Sequence, residues 1–163
     1  MEISIYQYNK FYSFFQNDWT ALHLCAWNGY PKICQKLLQV GFHVDSPGPG
    51  HITALSLACQ KGHLNIVNLL IQAHCNINST ADIDTNEDVS ALHFAAQHGH
   101  VEIVKALLSA GAHVNVAMTT RGINGVTPLH LAVEAGHMDV MDVLIDAGCD
   151  IQSSTRAPSE TLC

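Results

Sequence analysis

Eleven histidines and six cysteines in 163 residues are the side chains with the most capacity for chemistry. Imidazole and thiolate serve as metal ligands, proton carriers and nucleophiles. Their spacing does not converge on a site. A zinc centre needs His-Glu-x-x-His on one helix face, or Cys and His sets at fixed short spacing. Neither occurs, and none of Cys25, Cys34, Cys59, Cys75, Cys149 and Cys163 forms a Cys-x-x-Cys pair. His93, His98 and His100 are near one another in sequence, but their spacing straddles a helix end. Asp139, Asp142 and Asp146 recur at three- and four-residue steps, the pattern of a solvated helix face. Phosphate-cradling glycine loops and Gly-x-Ser-x-Gly elbows are absent. No catalytic residue, metal ligand or cofactor is expected, and a histidine-dependent metal enzyme is the remote alternative.

Composition narrows the class further. Hydrophobic residues make up 48% and charged residues 13%, so most of the chain is expected to fold. The formal charge of −7 argues against nucleic acid and anionic membrane surfaces, both of which an acidic protein repels. No run of 18 apolar residues exists to span a bilayer, and the N-terminus lacks a signal-peptide pattern.

The elements that must position the histidines come from an internal repeat. Four segments align: Thr20-Ala21-Leu22-His23 with Gly29, Thr53-Ala54-Leu55-Ser56 with Gly62, Ser90-Ala91-Leu92-His93 with Gly99, and Thr127-Pro128-Leu129-His130 with Gly136. The second halves also agree, through Ile33…Leu37-Leu38, Ile66-Val67…Leu70, Ile103-Val104…Leu107-Leu108 and Val140…Leu144-Ile145. Each closes in a turn such as Gly111-Ala112-His113-Val114-Asn115. Within a unit, helices such as 91–98 and 101–109 are too short to persist alone, being under ~12–15 residues. Their apolar stripes need a neighbouring unit to be buried. Gly29, Gly62, Gly99 and Gly136 are expected to stop the first helix in a left-handed conformation, and Gly41, Gly111 and Gly148 to do the same for the second helix, where His74 stands in the second unit.

These units resemble ankyrin repeats, and the resemblance covers about residues 17–152. It implies an all-α solenoid of stacked helix-turn-helix units with finger loops, divided at about 17–49, 50–86, 87–123 and 124–152. It also implies scaffold roles for the motif residues. His23, His93 and His130 are expected to bond the hydroxyl of Thr20, Ser90 or Thr127 and the backbone of a neighbour. The cysteines take aliphatic places: Cys25 and Cys59 stand for Ala, Cys34 for Val, while Cys75 and Cys149 share a turn position. Read as free thiols behaving as small hydrophobes, they fit a reducing compartment, cytoplasmic or nuclear.

Two extra four-residue insertions fall between Asn78 and Ser90 and between Asn115 and Thr127, in the inter-repeat fingers. Residues 1–16 are aromatic-rich and fall outside the repeat, either a cap over the first unit or a non-native segment. Residues 153–163 are expected to be disordered. The last unit keeps the apolar pattern of an interior one, which leaves room for further ankyrin repeats or a partner beyond it.

The function implied is a non-catalytic protein–protein interaction module, an adaptor or scaffold that binds through its concave finger and first-helix face. The contact residues expected there are Trp19, Ile52, Val89 and Val126 on the fingers and Trp27, Asn28, Gln60, Lys61, Gln97, His98 and Glu134 on the helix ends. Acidic fingers favour a basic or mixed-charge protein, with no nucleic acid and no membrane insertion. The alternative is a regulatory or targeting fragment of a larger multidomain protein, such as an enzyme, channel or ubiquitin-ligase adaptor. Asn78 and Asn115, each with a Leu eight residues earlier, also resemble the family's pattern for asparaginyl hydroxylation.

Overall fold

The computed structural model describes residues 18–82, 88–120 and 123–155. The segment 1–16, expected as a cap, and the tail beyond 155 lie outside the described residues. Four helix pairs follow one another: α1 (Ala21–Asn28) with α2 (Pro31–Gln39), α3 (Ala54–Lys61) with α4 (Leu64–Gln72), α5 (Ala91–Gln97) with α6 (Val101–Ser109), and α7 (Pro128–Glu134) with α8 (Met138–Asp146). First helices pack on first helices of the next unit, and second helices on second helices.

Local chemistry accounts for each pair. Thr20 caps α1 with its hydroxyl oxygen while the His23 ring closes a reciprocal capping box, and Ser90–His93 and Thr127–His130 repeat the device. In the second unit Ser56 stands in for histidine, with the Thr53 and Ser56 hydroxyls 3.2 Å apart. At the far end of α3, Gly62 has φ +78 and a Cβ there would lie 2.7 Å from Cε1 of His100. Glycine therefore answers both the left-handed backbone and the close approach of the next unit. His74 does adopt φ 58 in place of the corresponding turn glycine.

The core is one continuous cluster running through all four units. Small residues, Ala58, Cys59, Ala95 and Ala96, lie wholly buried where first helices meet, and the second helices contribute Ile66, Leu70, Ile103, Leu107, Val140 and Leu144.

Two features differ from the sequence reading. Both finger insertions form antiparallel ribbons, so the fold is helical with two small hairpins rather than purely α. β1 (Thr80–Ala81) pairs with β2 (Val89–Ser90), and β3 (Met118–Thr120) with β4 (Ile123–Val126). The extra residues let the finger reverse as paired strands, with Ala81, Val89, Met118 and Val126 turned into the core. Cys25 and Cys34 are joined by a disulfide rather than free, their Cα atoms 5.8 Å apart. They occupy facing positions of one helix pair, where the other units carry Ala58/Val67, Ala95/Val104 and Ala132/Met141. The compartment expectation built on free thiols loses that support. Among the described residues no helix is long and apolar enough to cross a membrane.

Thiol counting tests the cysteine assignment. Alkylation of the unfolded, unreduced chain should leave Cys25 and Cys34 unlabelled, with labelling restored by reductant. Breaking this short loop should lower stability by about 2–3 kcal/mol.

Candidate partner-binding face

The histidines form the polar frame of the molecule. The Thr20 backbone N–H donates to Nδ1 of His23 at 3.1 Å, which leaves Nε2 to donate to the Ile52 carbonyl at 3.1 Å. His93 repeats this with Ser90 and the Val126 carbonyl, 33 residues away. His130 bonds Thr127 in the same way, its Nδ1 2.8 Å from the hydroxyl. Burial pushes the His93 ring down to about 4, against the opposing pull of its carbonyl partners Val126 and Val116. His23 is lowered for the same reason. Both rings are therefore neutral donors held inside the protein.

A second row of imidazoles starts the second helices. His63 Nε2 donates to the Trp27 carbonyl at 3.2 Å and His137 Nε2 to the Gln97 carbonyl at 3.1 Å. His100 takes the Gln60 carbonyl, and its pKa is lowered by burial with smaller contributions from His98, His137 and His63. A third row lies in the turns. Asp45 Oδ1 accepts the Asn76 N–H, Asn78 Oδ1 accepts the His113 N–H, and Asn115 Oδ1 accepts the Asp150 N–H, all at 2.8–2.9 Å. Asn78 also donates through Nδ2 to the Gly111 carbonyl. The sequence signal for this row was an Asp or Asn recurring at the fifth turn position, and it passed unnoticed as a bridging device.

The structure divides the expected contact residues into two groups. Ile52, Val89 and Val126 are only 8, 6 and 6% exposed, so they are core residues and not contact residues. The reason is geometric: each immediately precedes a capping Thr or Ser, and its side chain packs the finger onto the helices. Trp19, Trp27, Asn28, Gln60, Lys61, Gln97, His98 and Glu134 remain accessible to different degrees. Trp27 and Lys61 come from adjacent units and meet, with Nζ 3.7 Å from the indole centroid. His98 bonds the Phe94 carbonyl through Nδ1 and stacks on His100 at 6.0 Å. Trp19 meets His23 edge-on at 5.4 Å. Asn28 is spent on its own helix, donating to the Leu24 carbonyl. Among the described residues no group of three or more His, Cys, Asp or Glu could hold a metal ion.

Helix pairs closed by a Thr/Ser–His box and joined by imidazole-to-carbonyl bonds define a repeat protein. The chain matches the family described as "Ankyrin repeats (3 copies)" over residues 22–118 and 55–155, and it belongs to the ankyrin-repeat family. It is similar over a shorter stretch to the NAD-capped RNA hydrolase NUDT12 of Homo sapiens, Pongo abelii and Macaca fascicularis. Each is 41% identical over 58 residues, 36% of this chain and 13% of the relative. The aligned stretch thus spans about an eighth of the curated relatives it matches.

The buried imidazoles make stability depend on pH with a defined sign. Because folding lowers the His93 pKa from 6.5 to about 4, the unfolded chain binds the proton more readily. The stabilisation is complete above pH 6.5 and is lost as pH falls toward 4, by on the order of 3 kcal/mol. Denaturant unfolding at pH 7, 5 and 4 should show that decline, and His93→Gln should flatten it.

Proposed function

We propose that this chain is a non-catalytic binding module: an ankyrin solenoid that presents its concave side, with finger and first-helix ends, to another polypeptide. One observation carries the reading. The rings of His23, His63, His93, His130 and His137 are engaged in scaffold bonds, while Trp27, Gln60, Lys61, Gln97, His98 and Glu134 gather at or beside first-helix ends and stay partly or fully accessible. They are carried on helix ends that pack into the continuous core, an arrangement that keeps the ordering cost of binding low on this side. Trp27 offers a large amphipathic surface of the kind that dominates interface energies. Asp82 and Asp88 on the first finger ribbon favour a basic or mixed-charge partner, which would associate more slowly as salt is raised.

A second reading is that the chain is a regulatory or targeting part of a larger multidomain protein. The similarity to a short stretch of a hydrolase supports it, since that stretch makes up only 13% of the hydrolase's length. Immunoblotting of the native protein would separate the two by size. The turn asparagines Asn78 and Asn115 remain candidate hydroxylation sites under either reading. Intact mass after co-expression with an asparaginyl hydroxylase should show a one-oxygen increment that Asn78→Ala with Asn115→Ala removes.

Affinity capture with quantitative mass spectrometry tests the binding face. Trp27→Ala should weaken a genuine partner by about 1–2 kcal/mol, roughly 5–30-fold, with the far-UV spectrum unchanged. A partner held equally by wild type and by the Trp19→Ala/Trp27→Ala double variant would remove this face from consideration.

A further inference from the structure

Cys25 and Cys34 stand on facing helices of the first pair, at places that Ala58 and Val67 fill in the second unit and Ala95 and Val104 in the third. All six side chains are at most 2% exposed. A buried thiol behaves as a small hydrophobe, so the two cysteines fit these places with the bond between them open as well as closed. Sγ of Cys25 lies 3.2 Å from the Leu22 carbonyl, which gives an S–H there an acceptor.

The reversal between the helices does not depend on the bridge either. The Tyr30 N–H donates to the Cys25 carbonyl at 3.0 Å. His63 to Ala58, His100 to Ala95 and His137 to Ala132 repeat that bond at 2.8–3.0 Å, in units whose facing positions hold no cysteine. Gly29 turns the chain at φ 76 as Gly62 does at φ 78. What the disulfide adds is confinement of residues 26–33, the segment it encloses. That segment holds Trp27, whose carbonyl accepts Nε2 of His63 at 3.2 Å and whose ring lies under Lys61. In later units an imidazole ties the corresponding turn to the unit before it, as His63 and His137 do. The first unit has Tyr30 at that place, 53% exposed. The bridge is the tie particular to this turn.

The other described thiols leave the pair to itself. Burial pushes the Cys59 thiol up and that of Cys75 up to about 12, with Asp45 adding to the latter. Cys149 is raised as well, by burial and then by Asp150. Exchange requires an attacking thiolate, and these three groups stay protonated at neutral pH.

We propose that Cys25 and Cys34 form a reversible redox switch: in the folded chain the pair passes between disulfide and dithiol, and its state sets how firmly residues 26–33, Trp27 among them, are held. The reductant is an external dithiol. One of its thiolates attacks one Sγ, the S–S bond breaks, and the released cysteine takes a proton. The second thiolate then attacks the mixed disulfide, closing the reductant's own S–S bond and freeing the other cysteine, which is protonated in turn. Two electrons and two protons reach the protein, and a disulfide oxidant takes them back. Local opening of the short helix pair gives the reductant access to the buried sulfurs.

Hydrogen exchange on the full chain, oxidised and in excess dithiothreitol, tests the switch. Both states should give the same far-UV spectrum. Reduction should speed exchange within residues 26–34 by roughly 10–100-fold and leave Ala91–Gln97 and Met138–Asp146 unchanged. Replacing dithiothreitol with oxidised glutathione should restore protection. Cys25→Ala/Cys34→Val, which installs the residues of the third unit, should exchange like the reduced chain with or without reductant. A bridge that resists dithiothreitol until the chain is unfolded would overturn the proposal, since it would then be a permanent staple. So would reduction that unfolds all four units, or that leaves exchange within 26–34 unaltered. None of these readouts uses a binding partner, so their outcome is independent of the module's proposed function.

Discussion

The apolar seam between successive helix pairs is the constraint on which the remaining structure rests. Helices of seven to nine residues gain too few hydrogen bonds to offset their nucleation cost in water. What keeps them folded is the removal of Ile66, Leu70, Ile103, Leu107, Val140 and Leu144 from solvent. Burying each such side chain is worth about 1.5–3 kcal/mol, and in each case the preceding pair supplies the cover. Stability is accordingly a nearest-neighbour property, and the first and last pairs, with one neighbour apiece among the described residues, are where it is thinnest.

Apolar burial is non-directional and does not by itself set the register between units. Three rows of directional bonds do that: capping imidazoles reaching a neighbour's finger carbonyl, second-helix imidazoles reaching the end of the preceding first helix, and turn Asx side chains accepting a neighbour's N–H. Each joins residues about 29–40 positions apart, the period of the repeat. The same network answers a functional question. Ring nitrogens that cap helices and bond carbonyls are not available to bind metal or carry protons, and burial holds His93 neutral across the physiological range. His23, His63, His93, His100, His130 and His137 serve the architecture in this way.

The repeating units are not equivalent at the surface. A disulfide links the helices of the first pair, finger ribbons of unequal length precede the third and fourth, and Lys61 lies against Trp27 across the first junction. A scaffold built on repetition leaves such positions free to differ, because they carry little of the seam energy.

Sequence by itself determined the units, the helix pairs and the left-handed turns including His74, and its resemblance to ankyrin repeats implied the scaffold use of His23, His93 and His130. The units, helix pairs and turns follow from local backbone chemistry and a recurring apolar period, which are written within some ten residues of chain. Tertiary structure decided the rest. Ile52, Val89 and Val126 precede a cap in sequence, and nothing local says whether such a side chain turns toward solvent or toward the helices. Cys25 and Cys34 read as two unrelated small hydrophobes until the helix pair sets their Cα atoms 5.8 Å apart. The Asx row and the Trp27–Lys61 contact likewise exist only between units, because their partners are a full period apart and meet only when one pair is laid on the next.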